Sequence, residues 1–205
     1  MTRERSIVHM DLDTFFVSCE RRIDSRLNNK PILIGGTSDR GVVASCSYEA
    51  RKYGVHSAMP MRMAKQLCPE AIVLRGNSGI YTKYSKLVTD VINESVPLYE
   101  KSSIDEFYID LTGMDQFFGC HQLASELRHK IITETGLPIS FGLSANKTVS
   151  KIATGEAKPN NCKVNEANKT SPNNPRYFHT AGVNQPKLNF SCWEINSTCH
   201  NLPSQ

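Results

Sequence analysis

The sequence predicts an α+β fold, one mixed or antiparallel sheet backed by helices. Short β-rich runs alternate with helical periods along the first 158 residues. One pair of runs lies too close together for a crossover helix, and so must be antiparallel.

In chain order, strand signals fall at residues 6–10, 31–35, 41–45, 72–74, 98–103, 107–111 and 139–143, each bounded by turn residues. The close pair is 98–103 and 107–111. Helical patterns fill the intervals. Residues 80–96 place Tyr84, Leu87, Val88, Val91 and Ile92 on one stripe, and Leu123, Leu127 and Ile131 recur every four residues, with Asp115 as a candidate cap and Gly136 just past the end. Shorter helices are expected at 15–22, 48–53, 61–67 and 147–157. No internal repeat is visible.

The texture changes beyond Lys158. Residues 161–205 hold nine Asn, no Asp, four Pro and three of the seven Cys, and no segment there keeps a period for long. The expected division is therefore a folded body over 1–160 and a separate tail over 161–205.

Composition narrows the classes. The chain has 205 residues with 39% hydrophobic content, enough to bury a core and too much for a disordered or collagenous protein. No apolar run reaches the roughly 18 residues of a membrane span, and the N-terminus lacks the apolar core of a secretory signal. Seven cysteines without framework spacing read as reduced thiols of a cytoplasmic protein. A net charge of +4, from 24 basic and 20 acidic residues, permits a polyanionic partner without requiring one.

Candidate chemistry gathers on three carboxylates. Asp11 ends the first apolar strand just before a helix begins, where a carboxylate can hold a metal beside a phosphate; the plain alternative is that Asp13 or Thr14 caps the helix and Asp11 is simply exposed. Asp105 and Glu106 are adjacent in the turn between two paired strands. Successive carboxylates can converge at a tight turn, and two acids with a distant third would make a hard-oxygen Mg²⁺ site; an ordinary charged turn would read the same way. Tyr48, Arg51 and Lys52 lie within one helical turn, and Lys147 and Lys151 share a helix face. Arg and Lys suit phosphate oxygens, though solvation explains most such residues. Cys192, Cys199 and His200 are too irregular for a zinc site.

Five strings carry a resemblance. They are His9-Met10-Asp11-Leu12-Asp13-Thr14-Phe15-Phe16, Ser45-Cys46-Ser47-Tyr48-Glu49-Ala50-Arg51-Lys52-Tyr53-Gly54-Val55, Ser57-Ala58-Met59-Pro60, Ser103-Ile104-Asp105-Glu106-Phe107-Tyr108-Ile109-Asp110, and Lys151-Ile152-Ala153 through Lys158-Pro159-Asn160. In this order and spacing they resemble the signature of Y-family translesion DNA polymerases of the DNA polymerase IV type, over residues 6–160.

The resemblance implies a palm with a small fingers subdomain inserted at roughly 18–77, and error-prone DNA-directed DNA synthesis in damage tolerance. It implies two Mg²⁺ ions held by Asp11, Asp105, Glu106 and the Leu12 carbonyl. Phe16 would be a steric gate against ribonucleotides, and Ser45, Tyr48, Arg51 and Lys151 would contact the triphosphate. Residues 41–45 would form a small-residue floor under the nascent base pair, and 59–63 would be fingers core. Implied partners are primer–template DNA, dNTP and a sliding clamp, for a monomer in the cytoplasm.

Beyond Asn160 the resemblance stops, where the family continues into thumb and little-finger domains and a clamp-binding peptide. The expectation is a frameshift or truncation near codon 160, and weak or undetectable synthesis by this chain. The competing readings are a non-catalytic nucleotide- or DNA-binding remnant, and a nucleotide cyclase, which would lack the Tyr48/Arg51 segment and the Phe16 gate.

Overall fold

The computed structural model describes residues 5–114 and 119–164. The central strand is β1 (Ile7–Leu12), whose residues alternate between two faces: Val8, Met10 and Leu12 point one way, His9 and Asp11 the other. It is flanked on both sides by antiparallel partners, β6 (Glu106–Asp110) and β7 (Ile139–Ser144). With β5 (Tyr99–Lys101) and β8 (Cys162–Val164) at the edges, the order is β5-β6-β1-β7-β8, and β8 alone runs parallel to its neighbour.

The apolar face of this sheet, with Phe107, Ile109 and Phe141, packs against α4 (Ser78–Ser95) and α5 (Cys120–Thr135) in one continuous core. The polar face is covered by α6 (Lys147–Ala157), which approaches β7 so closely that only Gly fits at position 142. Each of these helices shows its local logic. Asn77 caps α4 by accepting from Ile80 N, Asn146 caps α6 by accepting from Val149 N, and Gly136 ends α5 at φ 68°.

A second sheet holds β2 (Ile32–Gly35), β3 (Val43–Cys46) and β4 (Ile72–Leu74) in the order β3-β2-β4. One sheet was expected; the strands of 32–74 instead pair only among themselves and form their own core with α2 (Tyr48–Arg51) and α3 (Met61–Leu67). That core contains Leu33, Val43, Met59 and Met61. Strand period reveals which residues are half-buried, not which sheet they join. Met63, expected in the same core, is exposed. Helix α1 (Phe15–Ile23) links the sheets, with Val17 packed on Ile32 and Ile34.

Three other expectations change. Helix α2 stops at Arg51 rather than 53, because the chain turns into Gly54 at φ 84°. The N-cap of α5 is Gly119; Asp115 lies outside the described residues. The body does not end at Asn160. Asn161 O accepts from Phe141 N at 3.1 Å, and β8 pairs along β7. A three-residue edge strand is too short to show a period, so composition alone places its residues with the tail. The remainder of the expected tail, 165–205, lies outside the described residues. Among the described residues no helix is long and apolar enough to cross a membrane.

Candidate active site

The three acids lie at the end of β1, at the start of β6 and in the turn before β6. Asp11 is directly opposite Glu106 in the antiparallel register, and Leu12 N donates to Asp105 O at 3.1 Å, so the strand end and the turn are tied through the backbone. Ser103 shapes the turn. Its hydroxyl donates to Asp105 Oδ1 at 2.6 Å and accepts from Glu106 N at 3.2 Å.

Two lysines hold the carboxylates. Lys158 Nζ lies 2.7 Å from Asp11 Oδ1, and Lys151 Nζ donates to both Glu106 oxygens at 2.7 and 2.9 Å. Burial pushes the Asp11 carboxyl up to about 6; Lys158 opposes the shift, and the neighbouring Asp105 and Glu106 charges add to it. Burial raises the Glu106 carboxyl as well, but Lys151, with His9 Nε2 at 3.8 Å adding to it, holds that carboxyl below its usual range. His9, 1% exposed, is driven down to about 4 by burial. Its Nδ1 lies 2.9 Å from Thr154 Oγ1, and its Nε2 has no hydrogen-bond partner.

Asp13 plays a different part from the one weighed in the sequence. Neither it nor Thr14 caps α1 through its side chain; Thr14 is the N-cap residue at φ 42° with no side-chain cap bond. Asp13 is 1% exposed and accepts from Ser140 Oγ at 2.8 Å, Asn160 N at 2.6 Å and the Tyr48 hydroxyl at 3.3 Å. This brings Tyr48 to the carboxylates. The Arg51 guanidinium stands over the Tyr48 ring, 5.1 Å from its centroid. Burial, then the Asp13 charge, raises the Tyr48 phenol above its usual range, so it stays a hydrogen-bond donor.

Phe16 is half-buried at the start of α1, its ring stacked on Tyr81 at 4.4 Å and 18°. Ser45 sits on β3 opposite Ile34 and makes no side-chain hydrogen bond to the other candidate residues. Thus Asp11 faces Glu106 across the strand pair with Lys151 on Glu106, Leu12 meets Asp105 through the backbone, Tyr48 joins them through Asp13 with Arg51 beside it, and Ser45 stands apart. Asp13, Ser140, Lys158 and His9 were not assigned from sequence. For Lys158 the signal was present in the Lys158-Pro159-Asn160 string.

The donor chemistry of the acids, hard carboxylate oxygens beside a backbone carbonyl, suits Mg²⁺. Among the described residues, no three His, Cys, Asp or Glu side chains are drawn together as a ready-made metal cluster. Lys158 pairs with Asp11 and Lys151 with Glu106.

A β-sheet with paired acids at its centre, backed by helices and joined to a small second sheet, defines the palm and fingers of Y-family DNA polymerases. The insertion ternary complex of Dbh DNA polymerase has the same fold, with a TM-score of 0.74 at 30% identity over 79% of this chain and 49% of that one. The profile of the impB/mucB/samB family matches residues 10–155, and the chain belongs to that family. It is 43% identical to DNA polymerase IV of Dehalococcoides mccartyi over 163 residues, 78% of this chain and 42% of the relative. It is 40% identical to DNA polymerase IV of Clostridium perfringens over 196 residues, 92% of this chain and 55% of the relative. The chain spans about half the length of the curated relatives it matches.

Proposed function

We propose that this chain carries the nucleotidyl-transfer site of an error-prone DNA-directed DNA polymerase, which joins a dNTP to a primer 3′-hydroxyl on a DNA template during damage tolerance. The observation that supports it most is the placing of Asp11 opposite Glu106, with Asp105 in the adjoining turn, and of Lys151, Lys158 and the Tyr48/Arg51 pair around them: acids for cations, cations for a polyphosphate.

In this reading Asp11, Asp105, Glu106 and the Leu12 carbonyl hold two Mg²⁺ ions. When bound, the ions supply Lewis acidity to the primer hydroxyl and neutralise charge on the triphosphate. The chain's own residues do the rest. Tyr48 donates and Arg51 offers a planar fork to phosphate oxygens, while Lys151 and Lys158 add compact charge from α6. Ser45 contacts the triphosphate only if the nucleotide reaches β3. Phe16, stiffened by its stack on Tyr81, stands against the ribose and excludes a 2′-hydroxyl. The same reading makes the protein a cytoplasmic monomer that engages primer–template DNA.

Isothermal titration tests it. The purified chain should bind a dNTP with millimolar Mg²⁺, and Asp105→Ala should abolish that heat. Single-nucleotide extension of a primer–template should follow the same pattern. Heat unchanged by Asp105→Ala would leave a nucleotide-binding remnant as the better reading.

A further inference from the structure

Asp105 sits between two peptide planes, and both are tied to other elements. The plane after it is held by Leu12 N, which donates to Asp105 O at 3.1 Å. The plane before it is held by Ser85 of α4, 1% exposed, whose hydroxyl donates to Ile104 O at 2.5 Å. Because a peptide unit is rigid and planar, holding Ile104 O also sets the direction in which the chain enters Asp105.

Lys101, the last residue of β5, stands behind Ser85. Its ammonium donates to Ser85 Oγ at 2.7 Å and to Thr89 Oγ1 at 2.9 Å, and lies 5.5 Å from the centre of the Phe107 ring. Among the described residues no carboxylate forms an ion pair with it; Asp90, whose charge reaches it, is paired with Lys86 at 2.7 Å. Burial pulls the Lys101 ammonium below its usual range, and Asp90 opposes this only in part.

We propose that Lys101 is a positioning residue for Asp105, acting through the Ser85 hydroxyl. This rests on the polymerase reading, in which Asp105 holds metal, and extends it to what aims that carboxylate. A serine or threonine inside a helix can turn its hydroxyl to the carbonyl four residues back, as Thr89 does onto Ser85 O at 2.7 Å. At Ser85 the ammonium works against this. It donates to the oxygen and repels the hydroxyl proton, which points away from Lys101 and onto Ile104 O. Donation into the oxygen also strengthens the bond it gives out. Thr89, one helical turn along α4, keeps the ammonium in place.

Lys101 also lines an open groove of about 590 Å³ beside Thr82, Lys86 and Ser103. A small alkylammonium ion has room there, which permits a rescue experiment.

The test follows the Ile104 carbonyl by ¹³C NMR in the full chain without metal. Lys101→Met, which keeps the stem and loses the ammonium, and Ser85→Ala should move that signal in the same direction, and the double variant should move it no further than Ser85→Ala alone. Mn²⁺ binding, followed by electron paramagnetic resonance, should weaken by roughly tenfold in Lys101→Met, the scale on which outer partners of metal ligands act. Lys101→Ala should lose as much, and ethylammonium should restore both the carbonyl signal and most of the Mn²⁺ affinity.

An Ile104 signal at the parent position in folded Lys101→Met overturns the proposal. So does parental Mn²⁺ affinity in that variant when Asp105→Ala has lost it, which leaves the polymerase reading intact. A loss that ethylammonium does not restore marks Lys101 as packing alone and overturns positioning too. If Asp105→Ala binds Mn²⁺ as the parent does, the polymerase reading fails and positioning falls with it. Should the variants not fold, the unmodified chain answers through its own protons. The Ser85 hydroxyl proton and the Lys101 ammonium protons should exchange slowly with solvent, and either one exchanging as fast as in the free amino acid overturns the relay.

Discussion

The Tyr48 hydroxyl donates to Asp13 Oδ1 across 3.3 Å and joins the small sheet's helix to the residue that follows the central strand of the large one. The other Asp13 oxygen takes Ser140 from β7 and the backbone N–H of Asn160, three residues past α6. One buried carboxylate thus holds three parts of the site: the Tyr48 side, the sheet, and the loop that carries Lys158.

Asp13→Ala leaves the Ser140 hydroxyl and the Asn160 N–H without an acceptor. The Ser140 hydroxyl is buried, and a stranded buried donor costs about 1–3 kcal/mol, whereas the exposed Asn160 N–H can turn to water, so the expected loss is about 2–3 kcal/mol. Tyr48→Phe removes only the longest of the three bonds and should cost about 1 kcal/mol or less. Urea unfolding of the two variants checks this, and equal losses would refute the assignment of Asp13 as the common anchor.

Two glycines of the α6 region should respond in opposite ways. A Cβ on Gly142 would meet Ser150 O at 2.3 Å and Thr154 N at 2.6 Å, both backbone atoms, so the helix must lift off the sheet. Gly142→Ala is expected to destabilise by about 1–3 kcal/mol and, through the displaced Lys151, to weaken dNTP binding. Gly155, on the exposed side of α6, has nothing within 4 Å of its would-be Cβ. Gly155→Ala should stabilise by about 0.5–1 kcal/mol. Thermal melts and nucleotide titrations of both variants decide, and a harmless Gly142→Ala would mean that α6 does not seat where described.

How far the sequence could be read follows from which interactions are local. The α6 bounds, 147–157, follow from the Asn146 cap and the apolar period, and the 98–103 and 107–111 pair is antiparallel as its spacing demands. The strings that hold the acids and Lys151 carried the family resemblance, and the family's profile matches residues 10–155. Two sheets instead of one could not be read, since partner choice among half-buried strands depends on long-range packing. Asp13 was missed for a related reason: its partners Ser140 and Asn160 are over a hundred residues away, and a carboxylate before a helix looks like a cap.

Glu49 gives a pH dependence with a definite sign. Burial raises its carboxyl, but Arg21, whose Nη2 lies 2.8 Å from Glu49 Oε2, outweighs this together with local hydrogen bonds and holds it below its usual range. A depressed folded-state value means that the unfolded chain binds the proton first. The pair's contribution is therefore complete above the unfolded carboxylate's pKa and disappears as pH falls through the lower folded one. Because both side chains keep some solvent contact, the size is held to about 1 kcal/mol or less. The stability difference between the parent and Glu49→Gln should shrink toward zero on acidification below about pH 4.5. A difference that grows on acidification would reverse the assigned sign.

Phe16 offers the sharpest separation of packing from selection. Its ring stacks on Tyr81 of α4, whose own hydroxyl donates to Glu20 of α1 at 2.7 Å, so the stacking partner is itself tied back to the helix that carries Phe16. A ring held this way cannot turn aside for a 2′-hydroxyl, and rejection by a steric clash needs that rigidity. Phe16→Ala should lose about 1–3 kcal/mol of stability with the stack. It should also raise affinity for a ribonucleoside triphosphate relative to its deoxy counterpart by roughly tenfold, with Mg²⁺ present in both titrations. Tyr81→Ala, which leaves Phe16 in place but unsupported, should move the same ratio in the same direction by less. If both variants lose stability while the ribo-to-deoxy ratio stays at the parent value, Phe16 is a packing residue and the selection lies elsewhere.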